Sequence, residues 1–217
     1  MTLERYWPRR ASFRGHNRAI ASGAMSQLMK IQMLNWTFRK LHAKVAPVVF
    51  LPLILTALTG MGYRLGKSWF GVSNRVAHWL MVVHEGQFLG KSLVPFYVLL
   101  VGLSLIGMII TGITLIKPNP KGIITRQWDR RWLHRVVALA AVGPLLLTAL
   151  TGIGYRVGQA WFGLPSSQAS ILMRLHQGSY LSPGLRPLYI LAIGAGLLVL
   201  LWTGIQMTTV FWQRRFH

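Results

Sequence analysis

Four stretches of this chain, residues 45–63, 93–116, 136–155 and 187–212, carry no charged residue and are almost wholly apolar. Each is about as long as the ~20 residues a helix needs to cross a ~30 Å hydrocarbon core. A lipid core offers no water to the backbone, so each N–H and C=O must find its partner within the protein, and continuous helices achieve this within one segment. The sequence therefore predicts an all-α integral membrane protein with four spans. Composition agrees, because 12% charged residues among 217 is about half of what an ordinary soluble domain uses. The first 40 residues are polar and basic with no early apolar run, so no cleavable signal is expected and the first span directs insertion.

Charge sets the expected orientation. Nine Lys and Arg precede the first span, six lie in and beside the middle connection and two end the chain, which is 17 of the 24. The other two loops share the remaining seven. The positive-inside rule then places both termini in the cytoplasm. The net charge of +21 is read as topology plus attraction to anionic lipid. A nucleic-acid partner is not expected, since no helix-turn-helix or aromatic-interleaved basic patch accompanies the charge. The chain has no cysteine. That removes disulfides, thiolate metal sites and C-x-x-C-H haem attachment.

The chain says the same thing twice. "LTALTGMGYRLGKSWFG" at residues 55–71 returns as "LTALTGIGYRVGQAWFG" at residues 147–163, an offset of 92 that holds without a gap from 41–114 to 133–206. The expected organisation is a basic N-terminal segment with an amphipathic helix (1–40), repeat 1 (41–116), a cytoplasmic linker (117–132), repeat 2 (133–208) and a basic tail (209–217). Residues 1–26 read as loosely ordered, and 27–41 as an amphipathic interfacial helix. Each repeat holds two spans, so both insert the same way round. The result is a parallel repeat about a pseudo-two-fold axis along the membrane normal, forming a four-helix bundle. "RVAHWLMVVHEG" and "QASILMRLHQG" read as short helices at the outer interface, with Trp69 and Trp161 as anchors.

Of seven histidines, two pairs obey the repeat: His42 with His134, on the cytoplasmic side, and His84 with His176, on the outer side. His78 aligns with Ser170 and does not. A two-fold axis turns equivalent positions toward each other, and two facing imidazoles at one level can bind one iron axially. The sequence supplies that arrangement once near each membrane face. Counting ~100° per residue from His42, its face passes through Ala46, Leu53 and Gly60. The second unit matches with Ala138, Leu145 and Gly152. Gly60 and Gly152 fall level with the outer pair, and Gly112 and Gly204 level with the inner pair, where small residues would leave room for a flat macrocycle. Arg64 and Arg156 stand at the outer boundary, where a guanidinium suits a propionate carboxylate.

The ordered run "LH…P…LTALTG", then "LH.G" or "VHEGQFLG", then a helix ending "TGI", resembles the PepSY-associated transmembrane family over about residues 39–208. The resemblance implies a four-helix core holding two haem b groups, with His42, His134, His84 and His176 as axial ligands. Such a core would carry electrons across a bacterial inner membrane, as in ferric-siderophore reductases. The outer loops are too short for an external PepSY domain, and no Gly-rich dinucleotide motif occurs. Electrons would then have to come from a quinol or a redox protein. The alternative expectation is a non-redox accessory or assembly subunit of a larger membrane complex, such as a photosynthetic one in a thylakoid, with chlorophyll or no cofactor on the histidines.

Overall fold

In the computed structural model, residues 11–116 and 129–213 are described, and every regular element among them is helical. Helix α1 runs from Ala11 to Trp69 and α2 from Asn74 to His84. Two single 3₁₀ turns, Gln87–Leu89 and Lys91–Leu93, lead into α3, Val94–Thr114. Helix α4 spans Arg130–Phe162, α5 Ser166–His176 and α6 Leu185–Gln213. Four segments are long and apolar enough to cross a membrane: Trp36–Trp69, Lys91–Thr114, Arg130–Phe162 and Leu185–Thr208. The chain is thus an all-helical integral membrane protein.

One expectation fails at the N-terminus. Residues 11–26 are helical rather than loose, and α1 passes through residue 40 without a break. The physical reason is continuity. Starting a helix is costly but extending one is not, and the four Ala, two Arg and one Met of residues 11–26 propagate a helix well, which offsets Gly15 and Gly23. The amphipathic stretch at 27–41 is accordingly the upstream part of α1. Its Trp36 ring carries the Lys40 ammonium 3.2 Å from its centre. Most of the linker, 117–128, and the tail beyond residue 213 lie outside the described residues.

Helix ends follow local chemistry. The Asp129 carboxylate accepts the Trp132 N–H at 2.7 Å and caps α4. The Ser73 hydroxyl caps α2. After His84 and His176 the chain reverses through Gly86 (φ +72°) and Gly178 (φ +64°), the left-handed conformation that glycine adopts without strain. Glycine is required twice over at these turns. The rings of Tyr97 and Tyr189 occupy the space a side chain would need. Gly86→Ala is therefore expected to cost about 2–4 kcal/mol, from a left-handed alanine plus a displaced tyrosine. It should show as a lowered Tm in detergent, and an unchanged Tm would contradict the packing described.

The bundle is held by contacts between helices, while its flanks are apolar. Helix α1 packs against α3 and α6, and α4 packs against α3 and α6. Leu145 is buried at the centre with Ala57 and Leu197, and Leu53 is buried as well, whereas Leu51, Leu100, Leu150 and Trp202 lie exposed. Lipid tails are as apolar as leucine, so close packing and polar contacts between helices do the work of association. Two such contacts sit at equivalent places: Met61 of α1 against Gly194 of α6, and Ile153 of α4 against Gly102 of α3.

Candidate functional site

The stripe through His42, Leu53 and Gly60 faces inward. His42 lies against α3, Leu53 is 2% exposed, and Gly60 meets His84. Helix α4 repeats the arrangement with His134 against α6, Leu145 at 3% and Gly152 against His176. His42 and Gly60 are 18 residues apart, about 27 Å along a helix. The two histidine pairs therefore lie near opposite ends of the bundle.

At the α2/α5 end, the imidazoles of His84 and His176 lie side by side in an edge-on arrangement, with ring centres 6.3 Å apart and planes at 67°. Two imidazoles sharing one iron through nitrogens ~2 Å from it place their ring centres about 6 Å apart. The Nδ1–H of His84 donates to the Thr56 carbonyl at 3.0 Å, and that of His176 to the Thr148 carbonyl at 2.8 Å. A carbonyl can only accept, so Nδ1 carries the proton and the Nε2 lone pair is left for another partner. Burial, reinforced by the neighbouring His176, pushes the His84 imidazole down to about 4. Burial also lowers His176. Both rings are neutral at physiological pH, which is the form that binds metal.

The same logic holds at the other end with different atoms. His42 Nδ1 meets the Thr111 hydroxyl at 2.9 Å, and His134 Nδ1 meets Thr203 at 2.8 Å. Each hydroxyl donates its own proton to a carbonyl one turn back, Thr111 to Gly107 and Thr203 to Val199, both at 2.7 Å. The threonine oxygen must then accept from the imidazole. Again Nδ1 is the donor and Nε2 keeps its lone pair. His134 lies within electrostatic reach of His42. These Thr side chains and the Thr56 and Thr148 carbonyls do what outer-shell partners of metal-binding histidines do: they fix tautomer and ring direction.

The glycines and arginines take on sharper meanings. The space beside Gly60 and Gly152 is filled by the histidine rings themselves, since an added Cβ would sit 3.0 Å from Cε1 of His84 or His176. Glycine lets the imidazole lie against the α1 or α4 backbone and reach the carbonyl four residues earlier. Gly112 and Gly204 are looser, at 3.5 Å and 3.7 Å from the rings of His42 and His134. Arg64 and Arg156 are both engaged across the two halves. Arg64 Nη2 donates to Gln177 Oε1 at 3.0 Å, and Arg156 forms an ion pair with Glu85. Glu85 and Gln177 occupy equivalent positions, each directly after a histidine. One rim arginine is therefore neutralised and the other is not.

Among the described residues no group of three or more His, Asp or Glu could hold a bare metal ion. Each end offers two imidazoles, which suits a metal whose in-plane ligands arrive with it. No family model matches the chain, nor does any curated protein or solved structure.

Proposed function

We propose that the chain is a di-haem b-type membrane cytochrome that carries electrons between the two membrane faces, alone or as a subunit of a larger complex. The observation that supports this reading is the doubled histidine pair. Four imidazoles stand at two levels, each with Nδ1 engaged and Nε2 left to bind. His42 and His134 would hold one haem, and His84 and His176 the other. Haem iron with two histidine ligands supplies one-electron chemistry without an open coordination position. The protein's part is to fix the rings, exclude water and surround both sites with apolar helices.

With both termini cytoplasmic, as the basic residues indicate, the His84–His176 site faces outward from a bacterial inner membrane or a thylakoid. A quinol or a partner redox protein would deliver electrons. A ferric-reductase-like activity would follow if the outer site reduces an iron complex, as the resemblance to the PepSY-associated transmembrane family implies. One observation favours the accessory-subunit alternative. Helix α1 extends some 25 residues beyond its spanning segment, with Met29, Met33 and Leu34 exposed on a basic stretch, as a docking segment for a larger complex would be.

Protein purified from haem-replete cells should contain two haem b per chain and show b-type bands in a reduced-minus-oxidised spectrum. A stably folded, colourless protein would overturn the reading. A magnesium tetrapyrrole in the extract would replace it with the alternative.

A further inference from the structure

The two halves match at their histidines and diverge just beside them. In the second half a recess of about 420 Å³ opens between the end of α4 and α5, lined by Tyr155, Gln159, Ser166, Ser170, Arg174 and Gln177. Tyr155 and Met173, which also lines the recess, are kept in the first half as Tyr63 and Met81. The other positions carry Lys67, Asn74, His78, Val82 and Glu85. There the Lys67 ammonium donates to Asn74 Oδ1 at 2.8 Å, and Glu85 is held by Arg156. The first half thus has an aliphatic residue where the second has a guanidinium, and an acid where the second has an amide.

Charge and hydrogen bonding give this recess one chemical preference. The described residues include two acids, Glu85 and Asp129. Glu85 is paired with Arg156, and Asp129 caps the opposite end of α4. Among the described residues no carboxylate is therefore left for Arg174. Gln177 gives its Oε1 to Arg64, so its amide N–H groups are what it can present to a ligand. Tyr155 and Ser166 add hydroxyls, while Ser170 directs its proton to the Ser167 carbonyl at 2.7 Å. The lining holds no histidine or carboxylate that could take up a proton, so it does not suit oxidation of a quinol. It is a set of donors around a cation, with Arg64 behind Gln177 adding a second positive charge.

We propose that this recess is a binding site for a phosphate group, held by Arg174 and the Gln177 amide. Guanidinium groups bind phosphate oxygens bidentately, and such charge-assisted bonds are the strong ones. Two sources share that chemistry: the head group of an anionic phospholipid, and a free phosphate from the aqueous side. The surroundings favour the lipid. Phe162, one turn beyond Gln159, and Ile171, one turn before Arg174, are 79% and 56% exposed and give an acyl chain an apolar surface. A guanidinium beside an exposed apolar surface at the end of a spanning helix can pair with an anionic head group while the acyl chain covers the apolar residues. The proposal does not depend on what the histidines bind.

The test uses the full chain in nanodiscs with mixed phosphatidylglycerol and phosphatidylcholine, read by native mass spectrometry. Wild type should retain phosphatidylglycerol roughly ten-fold better than Arg174→Val or Gln177→Glu, since each removes a charge-assisted contact. Both substitutions install the residue that the first half carries at that place, so folding should survive and is checked by Tm. Arg174→Lys should keep part of the preference, as a charge without the fork. A parallel titration with inorganic phosphate in phosphatidylcholine-only discs separates the sources. Arg174-dependent phosphate uptake without lipid preference assigns the site to the free anion. Folded variants that match wild type in both arms overturn the proposal.

Discussion

Replacing His84 with alanine is expected to remove one haem and leave the other, so that the haem content per chain falls from two to one and the b-type band loses about half its amplitude. His42→Ala should remove the other haem instead. The expectation follows from the way each end is built. Each offers two imidazoles, with no third His, Asp or Glu grouped with them among the described residues, so under the di-haem reading loss of one removes half of the protein's ligand set at that end. The separation of ~27 Å along α1 keeps the two ends independent, and the two difference spectra should sum to that of wild type. Added imidazole should restore the missing band in His84→Gly, because the space against Gly60 and the Thr56 carbonyl stays in place to receive it. A merely structural histidine would show no such rescue. Equal spectra for wild type and both alanine variants would sink the ligand assignment.

The spans and the short helices were legible because each is a property of one segment. Hydropathy and length mark a span, and the run from Asn74 to His84 has an apolar face of its own. The histidine pairs were legible only through the duplication, which separates His84 and His176 from His78. What could not be read was the contact between segments. Thr111 and Thr203 are repeated neighbours of Gly112 and Gly204 in the sequence. That their hydroxyls receive an imidazole N–H depends on how α3 sits on α1, and α6 on α4. A helix's periodicity reports which face is apolar, not which residue of another helix meets it. Glu85 was the one acid in the first repeat, a visible signal whose partner, Arg156, lies in the other half. Residues 11–26 differ from expectation for another reason. Their composition looks like that of a loose basic arm, but attachment to a long helix removes the cost of nucleation.

The four repeated glycines, equal in the sequence, should separate in experiment. Under the sequence reading all four make room for a macrocycle, and an added methyl at any of them should expel it. The structure divides them. At Gly60 and Gly152 a methyl would sit 3.0 Å from Cε1 and 3.2 Å from Nδ1 of a histidine ring, whereas at Gly112 and Gly204 the nearest ring atom is 3.5 Å and 3.7 Å away. The first distance is tighter than side chains normally tolerate, and the second is ordinary contact. Gly60→Ala and Gly152→Ala should push the ring from the helix and lengthen its bond to the Thr56 or Thr148 carbonyl. The result should be a shifted low-spin iron signal in electron paramagnetic resonance and a stability lowered by roughly 1–3 kcal/mol, the usual range for overpacking. Gly60→Val should lose the haem of the His84–His176 site outright and spare the other. Gly112→Ala and Gly204→Ala should bind both haems and melt within about 0.5 kcal/mol of wild type. If instead all four alanine variants lose haem alike, the glycines serve the macrocycle and not the imidazoles.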